Sequence, residues 1–141
     1  RVVVAAAGVV VARAVEAAGI LDGEGVAATV IDVTSPDRLF RRWQRPARAA
    51  VRSGRSLVGG GGLSGLVTRA ERTAPLITVH DASSHTLAWL GSAVGLRQVA
   101  LGVDEFGQSG RVDDLHRVTG IDADHIVNAA LAALDAPAAG A

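Results

Sequence analysis

An unbroken apolar run opens the chain and does most to limit the folds open to it. Residues 2–6 carry no polar side chain and are followed by Gly8, which is typical of a strand buried on both faces. Residues 9–21 then repeat apolar side chains with helical periodicity, and Asp22-Gly23 supplies a helix stop. Because a strand buried on both faces needs a helical layer on each side, this start favours an α/β fold.

The alternation of strands with helices continues along the chain. Further strands are predicted over residues 26–33, 76–79 and 99–101. Helices are predicted after Pro36, from about residue 85 to 94 and twice after the last strand, with a short helical piece over 63–72. This order predicts one α/β domain over residues 1–136, with a mostly parallel sheet covered on both faces, and a flexible tail over 137–141.

Charge and composition exclude several kinds of partner. The 14 basic residues, all arginine, balance 14 acidic ones, so no global field favours nucleic acid or an anionic membrane. Cysteine is absent, which excludes thiol catalysis and disulfides, and no apolar run reaches the roughly 18 residues that span a bilayer. We therefore predict a cytoplasmic protein without nucleic-acid or membrane partners. Because the chain opens on Arg1, inside the first predicted strand, we expect a fragment of a longer protein.

Two glycine patterns are weak matches to phosphate-binding motifs. Gly8 after the first strand and Asp32 at the end of the second mimic a dinucleotide-binding unit, but the second and third glycines of that motif are absent. The consecutive glycines at residues 59–62 lack the Lys-Ser or Lys-Thr of a Walker loop. A tight strand-to-helix turn and a flexible loop are the favoured interpretations.

A cluster of titratable residues follows the third predicted strand. His80 and Asp81 leave the carboxyl end of that strand, where open α/β sheets place ligands, and His85 follows one helical turn later. The three could converge on a metal ion or form a base with its orienting carboxylate. In the favoured interpretation Asp81 accepts hydrogen bonds from a helix start and the histidines lie at a subunit contact. A serine hydrolase built on Ser83 or Ser84 lacks the Gly-x-Ser-x-Gly elbow.

Arginine is concentrated in residues 38–55, which also contain Trp43. Half of the cations of the chain lie there: Arg38, Arg41, Arg42, Arg45, Arg48, Arg52 and Arg55. A solvated helix face, with arginine stems covering apolar surface, is the default interpretation. The alternative is a docking surface for an acidic protein partner.

The loop after the fourth predicted strand has the composition of a rigid contact element. Its residues are Asp104, Glu105, Phe106, Gly107, Gln108 and Ser109. Gly107 and Gly110 permit a sharply turned backbone, and Ser109 can cap the helix that holds Asp113 and Asp114 in its first turn. We predict that this loop makes contacts and that Phe106 is buried.

Several segments together resemble the C-terminal domain of the transketolase family of thiamine-diphosphate enzymes. The pattern Asp-x-Phe-Gly-x-Ser at residues 104–109 precedes Asp-Ala-x-x-Ile-Val-x-Ala-Ala-Leu at 122–131. Residues 2–8, 30–36 (VIDVTSP) and 75–91 (PLITVHDASSHTLAWLG) resemble the first three strands of that domain and their flanks. The closest resemblance is to the homodimeric pyruvate dehydrogenase type.

This resemblance implies a fold and a role. The family domain is a three-layer α/β/α sandwich around a mixed sheet with one antiparallel strand, which residues before Arg1 would supply. Thiamine diphosphate and Mg²⁺ lie between the two preceding domains, and the Gly-Asp-Gly metal motif is absent from this sequence. The resemblance therefore assigns no catalytic, cofactor-binding or metal-binding residue here. It implies a non-catalytic domain that supports a homodimer and packs on the preceding domains.

Candidate contact residues under this hypothesis are Asp104, Phe106, Gly107, Gln108 and Ser109, together with His80, Asp81 and His85. Two other hypotheses stay open. One is a stand-alone α/β module that binds a nucleotide or an acidic ligand. The other is a small metal-assisted hydrolase built on the two histidines and Asp81.

Overall fold

A computed structural model describes residues 1–56, 62–105, 107 and 109–136 of the chain. Within these residues four strands form a single parallel sheet, in the order β2-β1-β3-β4. The strands are β1 (Val2–Ala7), β2 (Ala28–Asp32), β3 (Leu76–His80) and β4 (Gln98–Leu101). The predicted α/β class and parallel sheet are confirmed. The antiparallel strand expected before Arg1 stays a prediction.

Five α-helices connect and follow the described strands. They are α1 (Val11–Gly23), α2 (Pro36–Ser53), α3 (Leu90–Val94), α4 (Val112–Val118) and α5 (Ala123–Asp135). The helix predicted from about residue 85 to 94 was too long, since a 3₁₀ turn at Ser84–Thr86 comes first. The piece predicted over 63–72 consists of two 3₁₀ turns, Ser64–Leu66 and Arg69–Glu71. Among the described helices, none has both the length and the apolar character needed to cross a bilayer.

The side chains of β1 alternate between two separate cores. One set packs with α1 and α5 on one face of the sheet, and comprises Val2, Val4 and Ala6. The other set packs with α3 and the segments around it, and comprises Val3, Ala5 and Ala7. All six are at most 1% exposed, which explains why the opening run carries no polar residue.

Helix α2 lies outside both cores, because no residue of it is fully buried. It rests on the second face through an aromatic cluster of Phe40, Trp43 and Trp89. The rings of Trp43 and Trp89 stack with centroids 5.3 Å apart, and Trp89 Nε1 donates to the Thr86 carbonyl at 2.8 Å. The 18-residue helix is therefore held by the contacts of Phe40 and Trp43 with Trp89, and by the packing of Leu39 and Trp43 against the second core.

Two polar side chains, one buried and one half-buried, tie separate segments together. The Glu71 carboxylate, 4% exposed, accepts from the Thr29 hydroxyl at 2.5 Å and from the Thr68 amide at 2.7 Å. Gln98 Nε2 donates to Thr78 Oγ1 at 2.7 Å and to the Leu87 carbonyl at 2.9 Å. Its Oε1 accepts from the amide of Gly91 at 2.5 Å, which fixes α3 beside β4. Thr68 and Glu71 form a capping box, which is a local sequence signal, whereas Thr29 and the partners of Gln98 lie farther away in the chain.

Candidate functional site

The carboxyl ends of β1, β3 and β4 surround a cleft of about 550 Å³. The strand order places β2 on one side of β1 and β3 on the other, so the chain reverses direction across the sheet between β1 and β3. Such a switch point is where open α/β sheets hold ligands. The cleft is lined by Val9, Asp81, Gly102, Val103, Asp104, Glu105, Gly107, Val112, Leu115, His116, Val118, Thr119 and Ile121.

Asp81 closes the turn between β1 and the helix that follows. Its Oδ2 accepts a hydrogen bond from the Val9 amide at 3.0 Å. Gly8 has φ +79°, and a Cβ atom on it would lie 2.6 Å from Cγ of Asp81. The carboxylate therefore fills the position that a pyrophosphate takes in a dinucleotide-binding unit, with the same sign of charge. This geometry excludes dinucleotide binding at Gly8 and explains the glycine as a tight turn.

The two predicted histidines of the cluster form separate local contacts. His80 Nδ1 accepts from the Ala82 amide at 3.0 Å, and its Nε2 lies 3.8 Å from Oδ1 of Asp81. His85 Nδ1 lies 2.8 Å from the hydroxyl of Ser83 instead. Among the described residues, no three histidine or carboxylate side chains are placed to hold a metal ion, so His80, Asp81 and His85 do not form the metal site considered above.

A chain of hydrogen bonds also argues against a serine nucleophile. The Ser83 hydroxyl donates to Asp104 Oδ1 at 2.9 Å, so the ring nitrogen of His85 is the donor to Ser83. The order is therefore carboxylate, serine, histidine, and the histidine cannot take the serine proton. A nucleophilic serine needs its base next to the hydroxyl with the carboxylate behind the base.

Asp104 fixes the loop after β4 against the loop after β3. Its Oδ1 also accepts from the Ser84 amide at 2.9 Å, and the Val103 amide donates to the Ala82 carbonyl at 2.9 Å. Hydrogen bonds from Ser84, with a further one from the Ser83 hydroxyl, hold the pKa of the Asp104 carboxyl below its usual range. The carboxylate thus stays charged and bonded at neutral pH.

The rest of the predicted contact loop is described only in part. Glu105 and Gly107 line the cleft, whereas Phe106 and Gln108 lie outside the described residues, as does the tail at 137–141. The expected Ser109 cap is wrong: the N-cap of α4 is Arg111, and no side chain caps it. The burial predicted for Phe106 stays a prediction.

Helix α4 supplies a wall of the cleft that was not expected from the sequence. Val112 and Val118 are 60% and 69% exposed, and Val9 across the cleft is 67% exposed. His116 is buried in the same wall, with Nδ1 unpartnered. The spacing of Val112, Leu115 and Val118 was a readable signal, since residues three apart lie on one helix face. The cleft thus combines an exposed apolar rim with bonded carboxylates.

Comparison with known families assigns the domain. The family model described as the transketolase-like TK C-terminal domain matches residues 1–122. The chain belongs to this family. Among curated proteins, none matches the sequence significantly.

The transketolase-like C-terminal domain also matches solved structures of transketolases. A split-gene transketolase in an inactive β4 tetramer is 25% identical with a TM-score of 0.57, covering 94% of this chain and 39% of that one. Transketolase of Campylobacter jejuni is 21% identical (TM-score 0.58; 93% of this chain, 16% of the other), and that of Pichia stipitis 20% identical (TM-score 0.58; 94% and 16%). The chain therefore spans about two-fifths of the first and about one-sixth of the other two.

Proposed function

We propose that the chain is the non-catalytic C-terminal domain of a thiamine-diphosphate enzyme and supports assembly of that enzyme. The observation that carries this proposal is the hydrogen bonding of the polar groups at the carboxyl edge of the sheet. Asp81 and Asp104 accept hydrogen bonds from backbone amides, and Ser83 and the histidines are engaged locally. Such groups stabilise a fixed surface, because each of them is engaged by a contact within the domain and is not free to act as a base on a substrate.

The exposed apolar rim of the cleft supports a contact role for this edge. Val9, Val112 and Val118 each leave more than half of their surface in water. Apolar side chains grouped on a rigid surface are typical of a protein–protein interface. We propose that the preceding domains or the second subunit of a homodimer cover this rim, together with the loop of Asp104 and Gly107. An acidic protein partner at residues 38–55 is a further part of the proposal.

The cofactor is proposed to lie outside this chain. Thiamine diphosphate with Mg²⁺ needs metal ligands and room for a diphosphate. The described residues offer no such ligand cluster, and the carboxylate of Asp81 fills the helix start beside the switch point. The residues present therefore do not fit the cofactor, and we assign its binding to the preceding domains.

The parent enzyme is proposed to be of the pyruvate dehydrogenase type, acting on 2-oxo acids, with a transketolase acting on keto sugars as the alternative. Support comes from residues 104–110 (DEFGQSG) and 126–131 (IVNAAL), whose patterns favour the first type. The similar split-gene transketolase is described as inactive in its β4 form, which agrees with a chain of this kind needing further domains for activity.

The first test of this proposal is on protein isolated from its source. Its intact mass and its thiamine diphosphate content are measured together. We expect this sequence within, or tightly associated with, a larger polypeptide that binds the cofactor. A native chain of this size, with neither cofactor nor thiamine-enzyme partner after gentle purification, would contradict the assignment.

A second test addresses the apolar rim in the same native protein. Val118→Asp places a charge on the rim, and Val15→Asp is the matched control on α1, where the valine is 58% exposed. We expect Val118→Asp alone to lower the sedimenting mass, because burying an unpaired carboxylate opposes association. Equal sedimentation of the two variants would remove the rim from the interface.

A stand-alone module that binds an acidic ligand is the second candidate. The carboxylates that line the carboxyl-edge cleft, Asp81, Asp104 and Glu105, oppose the binding of an anion there. A separate cleft beside α2 favours one, because four arginines line it: Arg38, Arg41, Arg42 and Arg45.

A further inference from the structure

The arginines of α2 form a regular seam. Successive intervals of three, four, three and four residues separate Arg38, Arg41, Arg45, Arg48 and Arg52, which we call the arginine seam. This alternation places the side chains in one line along the helix, as the a and d positions of a coiled coil do. At about 1.5 Å per residue, the line is about 21 Å long.

The charges of the seam are largely unmatched within the described residues. Arg41 pairs with Asp37 one turn before it, and its Nε lies 3.1 Å from Oδ1 of that carboxylate. In the same described part of the chain, the other four seam arginines form no ion pair. All five are exposed. The seam therefore presents a row of cations to solvent rather than an internal salt-bridge network.

The orientation of the seam is fixed from the opposite side of the helix. Leu39, Trp43 and Ala50 lie on the half-buried side of α2, and Trp43 stacks on Trp89. The seam therefore lies on the exposed side of the helix, opposite Trp43. At the start of α2 it borders a cleft of about 620 Å³ between the helix and the end of β2, with Thr34, Ser35 and Leu66 in its lining. The cleft provides a concave surface that can hold one end of a docked segment.

We propose that the arginine seam docks an acidic α-helical segment of a separate protein, whose carboxylates repeat at the same alternation of three and four residues. The regular spacing of the arginines distinguishes between the possible ligands of the seam. A compact phosphate ligand could use the arginines that line the cleft at the start of α2, but it would leave Arg48 and Arg52, at the other end of the line, without a partner. A second copy of this chain does not fit, since the acidic residues of α4 and α5 do not repeat in this way. This inference rests on the acidic-partner part of the proposed function; because the surface is distinct from the carboxyl-edge rim, it can fail while the assembly role holds.

The test uses two designed helical peptides of identical composition and the native protein. In the first, five glutamates alternate at intervals of three and four residues; in the second, they are distributed around the helix. Binding is followed by anisotropy of a labelled peptide at low salt. We expect the first peptide to bind about tenfold more tightly, since each exposed ion pair contributes a small multiple of affinity. Binding should weaken steeply with salt. Equal affinities for the two peptides would overturn the proposal.

Charge-matched variants locate the binding surface. Arg45→Gln/Arg48→Gln/Arg52→Gln should weaken the first peptide about tenfold, and lysine at the same positions should restore most of the affinity. The control is Arg69→Gln/Arg72→Gln/Arg111→Gln, which removes the same charge from exposed arginines off the seam. Equal losses of peptide affinity in the two sets of variants would show non-specific electrostatic attraction and would contradict the proposal. Tighter binding of inorganic tripolyphosphate or of a single-stranded DNA 20-mer than of the first peptide would also refute it.

Discussion

The carboxylate of Asp81 occupies the space beside Gly8 that a side chain would need, and it holds the amide of Val9 at 3.0 Å. The turn that leaves β1 is therefore built from two residues 73 positions apart in the sequence. Gly8 adopts φ +79°, and the carboxyl group of Asp81 leaves no room for a Cβ atom on it.

Gly8→Ala tests this relationship. The substitution strains a positive φ and displaces Asp81 from the Val9 amide, so we expect the free energy of unfolding to fall by about 3 kcal/mol. Gly25→Ala is the control, because Gly25 has φ +78° with no atom within 4 Å of the added Cβ. It should lose only about 1 kcal/mol. Chemical denaturation measures both, and equal losses would show that Asp81 does not constrain the turn.

Glu71 should make stability depend on pH. Hydrogen bonds, first from Thr29 and then from Thr68, hold the pKa of Glu71 below its ordinary value, although burial opposes this shift. Because the folded pKa is the lower one, the carboxylate stabilises the fold fully above its unfolded pKa. That stabilisation is lost as the pH falls through the folded value.

Glu71→Gln removes this ionisation and weakens the charge-assisted bonds. We expect it to lower the free energy of unfolding by about 2 kcal/mol at pH 7, and by less in the acid range. Glu24→Gln, the same change at an exposed position, serves as the control. Denaturation curves at several pH values test this, and a loss for Glu71→Gln that does not change with pH would contradict it.

Gln98→Glu should disrupt the junction between α3 and β4. The carboxylate cannot donate to Thr78 Oγ1 or to the Leu87 carbonyl, and it would place negative charge against both oxygens. We expect a loss of about 3 kcal/mol in the free energy of unfolding. Asn128→Asp makes the same chemical change at an exposed position of α5 and should be near neutral. Similar denaturation midpoints for the two variants would argue against the network.

Trp43→Ala should loosen α2 and leave the sheet intact. Because the helix has no buried residue, loss of the stacked ring weakens its attachment: one of its two ring contacts with Trp89 and the packing of Trp43 on the second core are removed. We expect amide exchange in α2 to become about tenfold faster, with exchange in β1 and β3 unchanged. Val51→Ala, at a position 84% exposed, is the control for an ordinary truncation on the same helix. Equally faster exchange in β1 would show instead that α2 is part of the central fold.

The sequence predicts the sheet well because the signal for it is local. The opening strand carries only apolar residues, since both of its faces are buried, and Pro36 marks the start of α2 where the structure has it. The helix predicted from about residue 85 failed because tertiary bonds override the local pattern there. Asp104 holds the amide of Ser84 in a 3₁₀ turn, and the α-helix begins only at Leu90.

The position of the carboxyl-edge site could be predicted from the sequence, but its chemistry could not. The sequence placed Asp81 and Asp104 at strand ends, which puts both at one edge of a parallel sheet. The partners that decide their chemistry, the amides of Val9 and Ser84, lie 72 and 20 residues away. For Glu71 only part of the environment is non-local: the Thr68-x-x-Glu71 capping box was a readable signal, whereas the bond to Thr29 spans 42 residues.

The peripheral position of α2 separates two kinds of evolutionary change in this chain. Every position of β1 lies in one or the other of the two cores, so the fold restricts substitutions there strongly. Substitutions along the arginine seam change only the outer face of one helix. Partner choice can therefore diverge between relatives while the sheet and its stability are preserved.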